Sequence, residues 1–283
     1  MIFKATRTGD PTVKPYANDN PQYPSMLMPS NQNPVAMSNR DLVGYTENVN
    51  KNFQSTLELT YDVPFVDGLS LTGRYSYDSN NEMGKRLGKA YKLYDYDADT
   101  EEYTGYEQFA PTKISNSWND YSLLNFQSQI SYDKSFKEAH NISATVVYEQ
   151  QSTFERWASL QREYDFYTND QIDQGSLNNQ QTSGNERERG SRSIIGRFNY
   201  DYKGKYLIEY AFRYDGSYRY HPDYRWGFFP VVTAGWRVSE ESFFQDAVPV
   251  ISNLKLRGSW GIVGQDAGAP FQYVEGFGTS GGG

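Results

Sequence analysis

Over 283 residues, a hydrophobic share of 37% is small for an ordinary globular core, yet 16% aromatic residues, with 25 tyrosines, exclude a disordered chain, which would be poor in rings. The formal net charge of -8 argues against nucleic acid as the main partner, since phosphate binding needs clustered basic groups, and the absence of cysteine excludes disulfides and thiolate metal sites. A sheet with one apolar and one polar face reconciles low hydrophobicity with abundant rings, because half of each strand then stays hydrophilic.

Residues 1–50 are rich in Pro, Asn, Asp and Ser, show no sustained period and read as a loop-rich leading segment, without the apolar stretch of a signal peptide. No apolar run approaches the ~18–20 residues of a transmembrane helix. From Asn52 the pattern changes. Phe53, Ser55, Leu57, Leu59, Tyr61 and Val63 alternate with Gln54, Thr56, Glu58, Thr60 and Asp62. After a short connection at 64–68, Leu69, Leu71, Gly73, Tyr75 and Tyr77 alternate with Ser70, Thr72, Arg74, Ser76 and Asp78, which completes a first hairpin. A polar insert spans 79–119. A second pair follows, with Leu124, Phe126, Ser128, Ile130 and Tyr132 on one face of its first strand and Ile142, Ala144, Val146 and Tyr148 on one face of its second. The link between them is 133–141.

Another polar insert, 151–191, leads to the clearest hairpin. Ile194, Gly196, Phe198, Tyr200 and Tyr202 alternate with Ser193, Ile195, Arg197, Asn199 and Asp201. Beyond Lys203-Gly204-Lys205, Tyr206, Ile208, Tyr210, Phe212 and Tyr214 alternate with Leu207, Glu209, Ala211, Arg213 and Asp215. A loop at 216–227 precedes a strand over 228–238, in which Pro230 should sit near an end or a bulge because it has no N–H to donate. The segment 239–253 contains a predicted helical turn with Ser239 as N-cap and acids in its first turn. The last strand covers 254–263.

Connections alternate between short and long, so tight turns gather at one end of the strands and large loops at the other. With spans of about ten residues, this predicts an all-β fold, an antiparallel transmembrane β-barrel segment of about eight strands with short periplasmic turns and long extracellular loops. On the apolar face, Tyr61, Tyr132, Tyr202, Tyr206 and Trp236 fall near the tight turns and Tyr77, Tyr148, Tyr214 and Trp260 near the large loops, as two interfacial girdles require. The opposite face carries Arg74, Glu149, Arg197, Glu209, Arg213, Arg237 and Arg257, which suit a watery lumen. A soluble β-sandwich or lipocalin-like barrel would have to bury these charges. Arg197, Glu209 and Arg213 stand on neighbouring strands within reach of cross-strand pairing.

GRFNYDYKGKYLIEYAFRYDGSYRY at 196–220, RWGFFPVVTAGWRVSEESFF at 225–244 and SNLKLRGSWGIVGQD at 252–266 resemble barrel motifs of the SusC/RagA family of TonB-dependent transporters. Asn33-Pro34-Val35-Ala36, Gly68-Leu69-Ser70-Leu71, and His140-Asn141-Ile142-Ser143 leading to Tyr148-Glu149 are similar to weaker family signatures. The resemblance covers roughly 33–266. It implies a barrel of about 22 strands of which 51–266 is a middle part and 267–283 a loop, with the family's plug domain, TonB-contacting box, signal peptide and closing strand outside this sequence. It further implies the outer membrane of a Gram-negative, Bacteroidetes-type bacterium, a SusD-like substrate-binding lipoprotein on the outer side, energy from TonB through the plug region, and oligosaccharide or peptide as cargo. A passive porin or adhesin barrel, or less favourably a soluble ligand-binding barrel, is the alternative.

Large loops concentrate binding residues, which makes Trp118, Trp157, Tyr218, Tyr220 and Tyr224 candidates for stacking on sugar rings or for partner contact, against the plainer expectation that loop packs on loop. Catalysis finds no support. His140 and His221 fall at opposite strand ends, no cofactor motif is present, and the acids at 95–102 lack the rest of a calcium loop, so a solvated acidic loop is the expectation.

Overall fold

The computed structural model describes residues 12–26 and 33–274. Ten strands run through it: β1 (Gly44–Asp62), β2 (Leu69–Gly88), β3 (Tyr91–Asp97), β4 (Glu102–Gln108), β5 (Lys113–Phe136), β6 (His140–Glu163), β7 (Gln181–Tyr202), β8 (Tyr206–Ser217), β9 (Trp226–Arg237) and β10 (Lys255–Gly261). Eight of them form one antiparallel sheet in the order β1-β2-β5-β6-β7-β8-β9-β10, and β3 and β4 make a separate hairpin. The eight expected strands are therefore present, each beside its predecessor.

Several are much longer than their alternating stretches. β5 and β6 have 24 residues each, whereas a tilted span of the hydrocarbon layer needs about ten. β1 begins at Gly44, ahead of the alternation, and about half of what reads as inserts at 79–119 and 151–191 continues β2, β5, β6 and β7. A ladder satisfies its backbone groups in water as well as in lipid, so pairing continues where apolar alternation is no longer required.

The chain divides into two compact units, 53–79 with 121–154 and 187–283, and 1–52 with 80–120 and 155–186. In the first, registers are explicit across β7 to β10. Ile194 faces Tyr214 and Tyr214 faces Phe228, Tyr210 faces Phe198 and Val232, and Trp236 lies between Tyr206 and Leu256. The apolar residues of successive strands thus share one face, as the alternation predicts. Among the described residues nothing covers much of that face: Leu57, Leu59, Phe126, Ile130, Ile208 and Trp260 are all exposed.

Tight turns close the hairpins. Lys137 and Glu138, and again Lys203 and Gly204, take consecutive positive φ values, the backbone of a turn whose twist matches the strands. The link read as 133–141 is mostly strand, leaving three residues between β5 and β6. Neighbouring turns are stitched together, with Asp133 N–H donating to Gly68 O at 2.9 Å and Lys203 N–H to Ala139 O at 2.6 Å.

Pro230 lies inside β9 rather than at its end, opposite Phe212 of β8. Its carbonyl accepts from Ile262 N, and its nitrogen points the same way, to the side where the ladder with β10 has stopped at Val231. No ladder bond is lost. After β9, a 3-10 turn at Val238–Glu240 precedes a short helix at Ser242–Ala247. The helical turn was expected with Ser239 as N-cap and acids in the first turn. Its N-cap is Glu241, without a capping side-chain bond, and its first turn carries no acid.

Glu241 is committed elsewhere, because its carboxylate accepts from Trp236 Nε1 and Lys205 Nζ, both at 3.2 Å. The Tyr206 hydroxyl, with these two donors, holds that carboxyl below the usual range.

In the second unit, residues expected as loop form two short helices, Pro34–Ser38 and Arg40–Val43. Asn33 is fully buried. Its Oδ1 caps the N–H groups of Val35 and Ala36, and its Nδ2 donates to Pro15 O and Ser25 O, so every polar atom of that side chain is satisfied. Asn39 caps the next turn in the same manner. Ala36, Tyr91 and Leu93 make a small core against Met26, Leu42 and Val43, and a second core joins Leu87, Ile114 and Tyr164 with Tyr45 and Ile172.

Candidate functional site

The polar face of the first unit carries a connected row of side chains. Arg74 Nε donates to Glu58 Oε2 at 2.6 Å and Arg74 Nη1 to Gln127 Oε1 at 2.9 Å, and Gln127 Nε2 donates to Glu149 Oε2 at 2.6 Å. One network therefore crosses β1, β2, β5 and β6. On β7 and β8, Arg197 forms the expected cross-strand pair, its Nη2 2.6 Å from Glu209 Oε2. Glu209 lies opposite Asn199, so the contact is diagonal. Arg213 does not join it; its Nε and Nη2 grip Asp215 on its own strand at 3.1 and 3.0 Å, a two-pronged contact. Arg257, Arg197 and Glu209 line a cavity of about 660 Å³ near the tight turns, together with Lys255, Asp201 and Asp133. Arg237 is exposed one residue from the end of the β8–β9 ladder.

On the opposite face, Tyr202 and Tyr206 pair across the β7–β8 turn with ring centroids 6.3 Å apart, and Tyr206 pairs with Trp236. Tyr61 of β1 and Tyr132 of β5 lie at the same strand ends as their turns. Towards the large loops Tyr77 meets Phe53 at 6.3 Å, Tyr214 stacks on Trp226 at 4.8 Å, and Tyr148 donates its hydroxyl to Gln150 at 3.1 Å. Trp260 of β10 is exposed beside Val232. Of these rings, Tyr206 and Trp236 at the tight-turn end meet the Glu241 carboxylate with their polar tips, and Tyr148 meets Gln150 at the large-loop end.

Trp118 and Trp157 fall within β5 and β6, not in loops, a consequence of strand pairing continuing past the apolar alternation. Tyr218 packs edge-on against Phe271, and Tyr220 donates its hydroxyl to Ala267 O at 3.0 Å, so these two hold loop to loop. Tyr224 differs. Its ring is 81% exposed, which leaves it available to a partner. In the tyrosine-rich hairpin of β3 and β4, Tyr103 stacks on Tyr23 at 4.0 Å and Tyr94 meets the same ring edge-on. Asp97 caps the hairpin turn by accepting from the N–H groups of Asp99 and Thr100. Among the described residues no cluster of three or more acids or histidines is arranged around a common point.

In the second unit, residues 164–176 are docked by a buried tyrosine and an ion pair that the sequence did not signal. Tyr164 donates its hydroxyl to Gln171 O at 2.8 Å, and burial pushes that hydroxyl up to about 12. Asp170 accepts from the Tyr45 hydroxyl and pairs with Lys85 at 3.0 Å. The tyrosine hydroxyl and then the ammonium hold the Asp170 carboxyl below the usual range. A depressed carboxyl adds stability that is present above the unfolded value of about 3.9 and is lost as pH falls through the folded value. Protection from hydrogen exchange at Gly175 and Ser176, relative to the intrinsic rate at each pH, should therefore hold from neutral pH to about pH 5 and fall at lower pH. Asp170→Asn should show fast exchange at neutral pH and no such step. An unchanged step in the variant would assign the acid response to another group.

No protein-family model matches the chain. It is 30% identical over 281 residues to the TonB-dependent receptor SusC of Bacteroides thetaiotaomicron, a match covering 94% of this chain and 26% of that protein. With the TonB-dependent receptor P39 of Formosa agariphila the identity is 27% over 232 residues, 80% of this chain and 21% of the relative. The chain thus spans about a quarter or less of the length of these curated relatives. Among solved structures, that of the RagAB peptide transporter aligns with a TM-score of 0.59 at 16% identity over 76% of this chain and 23% of that one. The same importer in its open-open state aligns with a TM-score of 0.59 over 76% and 22%. At that identity the likeness is one of fold.

Proposed function

We propose, from the premise that this chain belongs to the SusC/RagA family of TonB-dependent outer-membrane transporters, that it supplies a stretch of barrel wall to a nutrient importer. Its location is the outer membrane of a Bacteroidetes-type bacterium. The observation that carries the functional reading is the two-faced sheet. One face exposes Leu57, Phe126, Ile130 and Ile208 with aromatic rows at both ends, and the other ties Glu58, Arg74, Gln127 and Glu149 into one hydrogen-bonded row. Hydrocarbon is the solvent that suits the first, and a hydrated passage suits the second.

In this reading 51–266 is partial barrel wall and 267–283 part of a loop. Arg74, Glu149, Arg197, Glu209, Arg213, Arg237 and Arg257 face the passage, and the side-chain partners of the first five favour a charged wall lining over a cargo-selecting set. The cargo is oligosaccharide or peptide, delivered by a SusD-like lipoprotein over the outer loops, with TonB pulling on a plug region of the whole protein. Exposed Tyr224 is the loop residue best placed for lipoprotein or cargo.

The test is uptake in the native host. Deleting the gene should abolish growth on one oligosaccharide or peptide source, and TonB depletion should do the same while the barrel is still made. Uptake that survives TonB depletion would replace this reading with a passive porin.

A further inference from the structure

We propose that the apolar face of β6 to β9 carries, just beyond its large-loop aromatic row, a binding site for the phosphorylated sugar headgroup of an outer-leaflet glycolipid. The register fixes the place. Ile194, Tyr214 and Phe228 form one row across β7, β8 and β9, and the next row on the same face is Arg192, Gly216 and Trp226, two residues or about 7 Å further along. On β6, Tyr148, Gln150 and Ser152 continue that face by the same two-residue step.

A cavity of about 470 Å³ opens there. It is lined by Arg192 and Arg225, by the indole of Trp226, and by Gln150, Ser152 and Tyr218. Among the described residues no carboxylate lines it. The Trp226 ring lies over Gly216, where a Cβ would sit 2.8–2.9 Å from its carbons, and stacks on Tyr214 at 4.8 Å, so a flat apolar floor is fixed in position. Arg192 and Arg225 enter no ion pair among the described residues, and Arg225 Nε is buried with no hydrogen-bond partner. Asp266, in the adjoining region, is engaged by Arg219 at 3.4 Å and Ser217 at 3.0 Å.

An unpartnered buried guanidinium nitrogen is costly unless a ligand meets it, and guanidinium forks match phosphate oxygens. Two such groups, an indole platform and amide and hydroxyl groups together suit a phosphate ester on a sugar. The same face, one row nearer the tight turns, is apolar and exposed, so acyl chains belonging to that headgroup would lie along Tyr214, Phe228 and Ile194. A soluble phosphosugar would have no use for that continuity. This favours lipid as the source.

The proposal rests on the membrane placement above. Its test uses the intact outer-membrane protein purified in detergent, without cargo or TonB, so its failure and that of the import reading are seen separately. Binding of phosphorylated lipid A, enzymatically dephosphorylated lipid A and inorganic phosphate is compared by native mass spectrometry. Phosphorylated lipid should bind, dephosphorylated lipid should bind roughly tenfold or more weakly, and millimolar inorganic phosphate should not displace the lipid. Arg192→Gln with Arg225→Gln should weaken phosphorylated lipid by a similar factor with the far-ultraviolet spectrum unchanged. Equal binding of both lipids to the wild-type protein would overturn the proposal even if the double variant failed to fold. Displacement by inorganic phosphate would assign the site to a soluble phosphate instead.

Discussion

Leu57→Arg is expected to lower the stability of the protein folded in a bilayer by about 2–4 kcal/mol, while the same change on a water-facing strand surface would stay within about 0.5 kcal/mol. Leu57 is 61% exposed, between Tyr61 towards the β1–β2 turn and Phe53 towards the large loops. By exposure alone it resembles any surface residue, and only the identity of the surrounding solvent separates the two outcomes. Thr56→Arg, on the opposite face beside Ser76, is the matched control and should cost little. Denaturant unfolding in vesicles, followed by tryptophan fluorescence, measures both. Equal, small costs for the two changes would remove lipid from the face of Leu57.

Gly68→Val should be comparably severe for a local reason. Gly68 sits at φ 86°, and a Cβ there would lie 2.0 Å from Asp133 O, a backbone atom with no freedom to swing aside. A β-branched residue is a conformational outlier at such a φ, and the hydrogen bond from Asp133 N–H to Gly68 O would be lost with it. Strain of about 1–3 kcal/mol and a lost bond of about 1 kcal/mol place the cost on the order of 3 kcal/mol. Gly73→Val, where a Cβ would meet nothing within 4 Å, should be neutral or better. Refolding yield in vesicles ranks the two. Equal yields would mean the turn is free to rearrange.

The part of the fold governed by solvent was legible in the sequence. Period-two alternation fixed the face of every residue from Ile194 to Tyr214, and the β7–β8 register agrees with it pair by pair. Strand ends were not legible, because past the apolar band both faces meet water and polar residues carry no parity. This is why Trp118 and Trp157 read as loop residues. The short helices after Asn33 and Asn39 are too brief for any periodicity, although the Asn33-Pro34 pair is itself an N-cap followed by a first-turn proline. At the helix after β9, two acids preceded the apolar run, and sequence alone could not tell that Glu241 serves Lys205 and Trp236. Of the lumen set, the Arg197–Glu209 pair was foreseeable from neighbouring strands. The row from Glu58 to Glu149 was not, since it needs registers across three strand pairs.

The order of the sheet bears on how quickly such a wall can form. Once the β3–β4 hairpin is set aside, each strand pairs with the one before it, so no strand has to find its place past an intervening strand of the sheet. The search for partners, the main kinetic burden of β proteins, is thereby confined to closures between consecutive strands of the sheet. The detour between β2 and β5 is the longest inside the sheet's first half, yet doubling a closure length costs only about 0.6 kcal/mol, and the β3–β4 hairpin shortens the distance its ends must travel. Strands can be added one after another to a growing edge, and β2, β6 and β8 inherit their register from connections of three to six residues.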